Sequence, residues 1–306
     1  MSAATTNDYA LQPDEGAGVV ASVASALPDE PLTTIQSTNS WGLFDFQEIW
    51  AHRELLYFLT WRDLKVRYKQ TLLGVLWIVM QPLLMTLIFT VVLGKLARVP
   101  TGGVPYALIA FVGLIAWMFI SNGIFGCSTS MVANANLITK IYFPRVLVPV
   151  SFIGTRILDL FMSLIILAVF LLIYRFGLHA HIQIGWSLAG LPLIILLATL
   201  FTLSLGILLA ALNVKYRDIS MALPVLIQLW MFLSPVVYPA SIIPPQWQRL
   251  YSLNPVVGLI EGFRGTLLGT GFNKFAIAVS TVTTLVLIFV AAIVFNRVEK
   301  KFADVI

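Results

Sequence analysis

Six stretches of roughly twenty residues, almost free of charge, decide what this chain can fold into, because an apolar run of that length crosses a bilayer as a helix. Leu72–Leu93 carries no charge, and Val104–Gly126 lies inside a charge-free stretch from Val99 to Thr139. Val146–Tyr174 holds two charges, Arg156 and Asp159. Trp186–Leu212, Ile219–Tyr238 and Phe275–Asn296 complete the set. Composition agrees: 59% of the 306 residues are hydrophobic and 11% are charged, against about 45–50% and about 25% in soluble domains. A water-soluble fold of this size has no interior for so many apolar side chains, so the surplus must face lipid. The expected fold is an all-α polytopic membrane protein with six transmembrane helices.

Between the fifth and sixth stretches, Pro239–Lys274 is too apolar for an ordinary loop and too interrupted for a crossing, with Pro239, Pro244, Pro245, Pro255 and five glycines. Non-helical backbone at membrane depth survives only when it is buried in protein or lines a cavity. A re-entrant or interfacial helical hairpin over 239–274 fits, with Leu259–Leu268 as its short helix.

Charge is unevenly spread. Residues 1–52 hold seven acids (Asp8, Asp14, Glu15, Asp29, Glu30, Asp45, Glu48) and no Lys or Arg, whereas the rest holds all 19 bases and seven acids. The first forty residues lack periodicity and read as a disordered acidic tail. With no basic segment leading an apolar core, they do not read as a secretory signal. Six spans put both termini on one side of the membrane. That side receives twelve bases, from Arg53 through Lys140, Arg145, Lys215 and Arg217 to Lys301, and the other receives six, with Arg156 inside a span. The positive-inside rule then places both termini in the cytoplasm.

Residues 41–70 read as an amphipathic interface helix preceding the transmembrane region, 71–302. At about 100° per residue, Trp50, Tyr57, Trp61, Leu64 and Tyr68 form a stripe, with Arg62, Lys65 and Lys69 on one flank and Arg67 on the other. Aromatic rings bounded by bases suit a helix in the headgroup layer, its cations near lipid phosphates. An ordinary positive flank of the first span would look similar, and both readings stay open.

The single cysteine, Cys127, excludes an intrachain disulfide framework. Three histidines, His52, His179 and His181, form no ligand cluster, and no metal site is expected. The chain contains no Gly-x-x-x-x-Gly-Lys-Ser/Thr phosphate loop, no HExxH and no GxSxG. It reads as a non-enzyme whose energy comes from a partner or an ion gradient.

Trp61-Arg62-Asp63-Leu64-Lys65-Val66-Arg67-Tyr68-Lys69-Gln70, continuing to Gly74, Trp77 and Gln81-Pro82-Leu83, resembles the permeases of ABC type-2 exporters. The similarity is to the branch that exports O-antigen of lipopolysaccharide, capsule or teichoic-acid polymers. Further landmarks in the same order are Asn134, Asn136, Leu137, Ile138, Lys140, Tyr142, Phe143 and Pro144, then Asn213-Val214 and Tyr216-Arg217-Asp218. Ser234-Pro235, Leu253-Asn254-Pro255, Glu261 and Arg264 follow, so the resemblance covers about residues 45–302. It implies a homodimer in the bacterial inner membrane joined to two copies of a separate ABC ATPase subunit. That partner would hold ATP and Mg, with no cofactor on this chain. Lipid-linked polysaccharide and membrane lipids are the other expected partners, and nucleic acid is not among them.

By the same resemblance, Ala133–Arg145 is a coupling helix seated on the ATPase, with Arg145 at its end and Arg217 and Asp218 as a second contact. A short, mostly apolar helix suits this role because it can lay its apolar face in a groove of a soluble partner. Trp61, Arg62, Lys65, Arg67, Tyr68 and Lys69 would meet the cargo's headgroup. Trp247, Tyr251, Asn254, Pro255, Glu261, Phe263 and Arg264 would form an outer gate. Within that gate Glu261 and Arg264, spaced i, i+3, pin the hairpin, and the rings form an interfacial belt or a surface for sugar faces. Arg156 and Asp159, also i, i+3, make one neutralising pair. Gln81-Pro82 should kink the first span.

Three rivals share parts of this pattern. A type-2 exporter of a small molecule or drug would have the same architecture. An ion-gradient-driven secondary transporter would use Arg156 and Asp159, and should show an internal repeat with paired broken helices, which the two halves lack. A membrane-embedded transferase should carry acids or histidines on its aqueous loops, where they are scarce.

Overall fold

Lipid leaves the backbone only its own hydrogen-bonding groups, and the chain answers with helices throughout. The computed structural model describes residues 46–69, 76–141, 143–177, 185–216 and 218–299. Short α1 (Phe46–Ala51) leads into α2 (Arg53–Lys69). α3 (Leu76–Phe89) runs on as a π-helical stretch to Leu96. α4 spans Tyr106–Ala133, α5 Ala135–Lys140, and α6 Leu147–Leu172 with a π-helical end to Gly177. α7 (Leu191–Lys215) follows a 3₁₀ turn from Trp186, and α8 spans Ile219–Phe232. α9 (Pro245–Tyr251), α10 (Pro255–Leu268) and α11 (Lys274–Glu299) complete the order. The acidic tail, Tyr142, His179, His181, Arg217 and the side chain of Tyr68 lie outside the described residues.

Among the described residues, five helical segments are long and apolar enough to cross a membrane: Leu76–Leu96, Tyr106–Ala133, Leu147–Gly177, Trp186–Lys215 and Lys274–Glu299. α4 is the central one, apolar on every side and buried along its length against α3, α6, α7, α8 and α10. Small residues permit that. A Cβ at Gly123 would overlap the Thr202 methyl group of α7, one at Gly126 would overlap the Phe152 ring of α6, and Gly206 of α7 receives Cys127. Close backbone approach at small residues is how helices associate where lipid supplies no hydrophobic drive. Outer faces of α3, α6, α8 and α11 expose Leu, Val, Met and Phe, as lipid-facing surfaces do. α3 continues as one helix through Pro82.

The fifth expected span, Ile219–Tyr238, is helical over its first 14 residues only. Helix α8 stops at Phe232 after 14 residues, which is about 21 Å at 1.5 Å per residue, short of a hydrocarbon core of about 30 Å. Pro235 explains the stop, since it lacks an N–H and disfavours helical backbone at Ser234 before it. The carbonyls that the broken helix leaves bare are claimed from elsewhere. Arg264 donates to Val236 O at 2.8 Å and Tyr238 O at 3.0 Å, and the Tyr106 hydroxyl donates to Val237 O at 2.5 Å.

The hairpin that follows carries two helices. Asn254 caps α10 by accepting from Val256 N at 3.1 Å, and Pro255 sits at its first position. Gly269 ends it at φ 69°, a left-handed conformation that favours glycine. Except for the half-exposed Pro255 and Glu261, α10 is buried all round. Its glycines make this possible: Gly258 meets the α11 backbone at Ala276, Gly262 meets Ile194 of α7, and Gly265 meets Phe272.

Candidate substrate and coupling surfaces

Five helices, α2, α4, α5, α7 and α11, converge on one end of the bundle. Leu59 of α2, Met131 of α4, Ile138, Phe143, Ile207 and Val214 of α7, and Phe295 of α11 share one apolar cluster. Asn213, 2% exposed, donates from Nδ2 to Ser128 O at 3.0 Å, tying the end of α7 to the end of α4. The Arg145 guanidinium donates to the backbone carbonyl of Glu299, tying the connection after α5 to the end of α11.

Within this end, α5 is a single six-residue helix whose apolar side chains turn inward. Ile138 is 7% exposed, Phe143 is buried and Leu137 packs on the same cluster. The expectation of an apolar face offered to a partner is therefore corrected. The outward surface carries Asn136, Thr139, Lys140 and Ile141, the last 55% exposed and missed in the sequence. Asn134 belongs to neither face: its Nδ2 donates to Ser130 O at 2.9 Å and its Oδ1 accepts from Arg62 at 2.8 Å. Pro144 and Arg145 are half-buried ahead of α6, and Asp218 is exposed ahead of α8.

Helix α2 lies lengthwise on the first turns of α6. Thr60 donates to Ser151 O at 3.4 Å and abuts Gly154, and seven residues on Arg67 meets Asp159. The helix has two apolar faces rather than one. Leu55, Leu56 and Leu59 pack inward as a stripe with i, i+1, i+4 spacing. Tyr57 and Trp61 point outward, as does Trp50 of α1, with Tyr57 and Trp61 stacked at 6.5 Å and the Lys65 ammonium 5.4 Å from the Trp61 ring. Lys65 and Lys69 are exposed, and Arg62 pairs with Asp63 at 2.7 Å. Only part of the basic set thus faces outward.

Arg156 and Asp159 form their i, i+3 ion pair at 3.0 Å. A third member joins them, because Arg67 Nη1 binds the same Asp159 Oδ2 at 2.8 Å. The three line a cavity of about 220 Å³ with Trp77, Gln81 and Asn122.

At the opposite end the hairpin residues do structural work. Arg264, 1% exposed, donates to Glu261 at 2.8 Å, to Ile109 O at 3.2 Å and to the two carbonyls of the broken helix. Asn254 accepts from the Trp230 indole at 3.0 Å and donates to Ser234 Oγ at 3.0 Å. Phe263 is fully buried, and Trp247 is exposed. Tyr251 exchanges a hydrogen bond with Tyr238 at 3.1 Å; burial and that bond hold its phenol well above its ordinary pKa, so it stays neutral. Asn254→Ala removes a helix cap worth about 0.5–2 kcal/mol and leaves the Trp230 N–H without its acceptor, about 1–3 kcal/mol. A fall in thermal midpoint of the detergent-solubilised protein is expected.

The fold defines a polytopic helical membrane protein with one broken helix and a buried hairpin. Comparison with known proteins takes the class further. The profile of the family described as ABC-2 type transporter matches residues 54–268. The chain is 30% identical over 264 residues to the O-antigen export system permease protein RfbA of Myxococcus xanthus, covering 84% of this chain and 97% of that protein. It is 29% identical over 253 residues to the protein of the same name from Klebsiella pneumoniae, covering 83% and 95%. The inner membrane transport permease YadH of Escherichia coli is 26% identical over 197 residues, 61% of this chain and 74% of that one. The chain belongs to the ABC-2 type transporter family, as the permease subunit of an exporter. Membership implies an ATPase partner.

Proposed function

We propose that this permease carries a lipid-linked polysaccharide, O-antigen, across the bacterial inner membrane on energy supplied by a separate ABC ATPase. Two copies of the permease form the channel and two ATPase subunits, holding ATP and Mg, dock on the end that carries α5. Both termini are cytoplasmic. The observation that carries the reading is the extent of the similarity: relatives named for O-antigen export align over almost their whole length, and YadH over less. The bias of basic residues toward the α2 and α5 end supports the orientation, and the outward aromatics and lysines of α2 suit an anionic amphiphile.

Deleting the permease in its host tests the reading. Polymer is expected to accumulate on its carrier lipid in the inner membrane, with long polysaccharide absent from the surface, and a plasmid copy restores export. Undiminished surface polymer after deletion would remove O-antigen as the cargo.

A further inference from the structure

Asn134 stands alone between α4, which ends at Ala133, and α5, which begins at Ala135. Its backbone, at φ −106° and ψ 25°, lies near the sparsely populated bridge between helical and extended conformations. It nevertheless serves both helices. The N–H donates to Ser130 O at 3.1 Å and closes the last turn of α4. The carbonyl accepts from Leu137 N at 2.9 Å and Ile138 N at 3.1 Å and opens α5. Because α4 is buried along its length, a swing of α5 relative to the bundle turns at this residue.

The side chain brings in a third helix. Asn134 Nδ2 donates to Ser130 O at 2.9 Å, and Oδ1 accepts from Arg62 Nη2 of α2 at 2.8 Å, 72 residues away in sequence. Asp63 braces that guanidinium, because Nε and Nη2 both donate to its Oδ1, at 3.0 and 2.7 Å. One hydrogen of Nη2 therefore goes to Asp63 and the other to Asn134. The bond to Asn134 is charge-assisted, a class stronger than neutral hydrogen bonds. Thr60 and Arg67 tie α2 to α6, at Ser151 O and Asp159. Arg62 is what registers α2 on the joint between α4 and α5. Coupling between distant surfaces travels through such bonds where they join elements that move, and here one surface is proposed to meet the ATPase and the other the cargo.

We propose that Arg62 is a positioning residue for transport: braced by Asp63 and bonded to Asn134, it ties α2 to the joint on which α5 turns, so that movement of α5 under the ATPase reaches the helix that meets cargo. This rests on the function proposed above and on docking of the ATPase at α5.

The test uses the purified full-length permease in complex with a cysteine-free version of its ATPase, and the same permease variants in the host. Cys127 is fully buried, so a thiol-reactive bimane introduced at Val66→Cys, an α2 position 74% exposed, reports on α2. Trapping the complex with ATP and vanadate, with no polymer present, is expected to shift the bimane emission. Arg62→Met should cut that shift at least fivefold, and Asn134→Leu should do the same. The double variant should be no worse than either, since the same bond is lost in all three. Arg62→Lys, which can still donate to Asn134, should keep most of the shift. Surface polymer in cells should fall at least fivefold with Arg62→Met at equal permease level. If Arg62 acted only by touching cargo, export would fall while the polymer-free shift survived, and the proposal would be overturned. Additive losses in the double variant, or no shift in otherwise wild-type permease, would overturn it as well. Undiminished surface polymer after deletion of the permease would instead remove O-antigen as cargo, and an arginine-dependent shift would still uphold the link between α5 and α2.

Discussion

Arg264→Met is expected to unfold the hairpin end of the permease. The wild-type guanidinium is fully buried and holds three elements together: the Ile109 carbonyl near the start of α4, the Val236 and Tyr238 carbonyls beyond α8, and Glu261 on its own helix. Methionine fills similar space without a donor. Glu261 then keeps a charge with no partner in that ion pair, and removing one member of a buried pair costs about 3–5 kcal/mol. Each orphaned carbonyl adds about 1–3 kcal/mol, although such losses do not sum cleanly. A fall of more than about 10 °C in the thermal midpoint of the solubilised protein should result, with loss of the monodisperse peak on size-exclusion chromatography. Gly113→Ala provides an independent check, because its Cβ would overlap the Val236 carbonyl and crowd the Arg264 guanidinium at 2.7 Å. If both variants retained wild-type midpoints, the claim that Arg264 replaces the missing turn of α8 would be wrong.

Arg264 also shows where sequence ran out. Its pairing with Glu261 is legible from i, i+3 spacing, because neighbours on a helix meet wherever the helix goes. Its bonds to Ile109, Val236 and Tyr238 depend on how distant segments fold back, and no local pattern encodes them. The same division runs through the Asp159 group. Arg156 was visible three residues away, whereas Arg67, 92 residues earlier, joins only because α2 packs along α6. The long spans α4, α6, α7 and α11 were readable from charge-free runs, since lipid imposes one composition over a whole crossing. The end of α8 is not legible in hydropathy, which continues past Ser234-Pro235 where the helix has already stopped. Face assignments were hardest: α2 carries Leu55, Leu56 and Leu59 as well as its aromatic stripe, and a helix with apolar residues on two sides does not say which side meets the bundle.

Ile141→Asp should weaken ATPase recruitment without harming the fold, whereas Ile138→Asp should destabilise the fold itself. The two positions lie three residues apart and differ in exposure, 55% against 7%. On the proposal that the ATPase docks at α5, Ile141 contributes apolar contact area beside Asn136, Thr139 and Lys140. An aspartate there places a desolvated charge at the centre of a contact, where losses of 2 kcal/mol or more, roughly thirtyfold in affinity, are common for a hot-spot residue. Recovery of ATPase with tagged permease should therefore fall at least tenfold while the permease's thermal midpoint stays unchanged. Ile138 is buried in the same apolar cluster as Met131, Phe143 and Val214, and an unmatched carboxylate there costs several kcal/mol. Its midpoint should drop, and any loss of ATPase should follow from misfolding. Normal ATPase recovery with Ile141→Asp would move the docking surface away from α5, leaving the exposed Asp218 ahead of α8 as the next position to test.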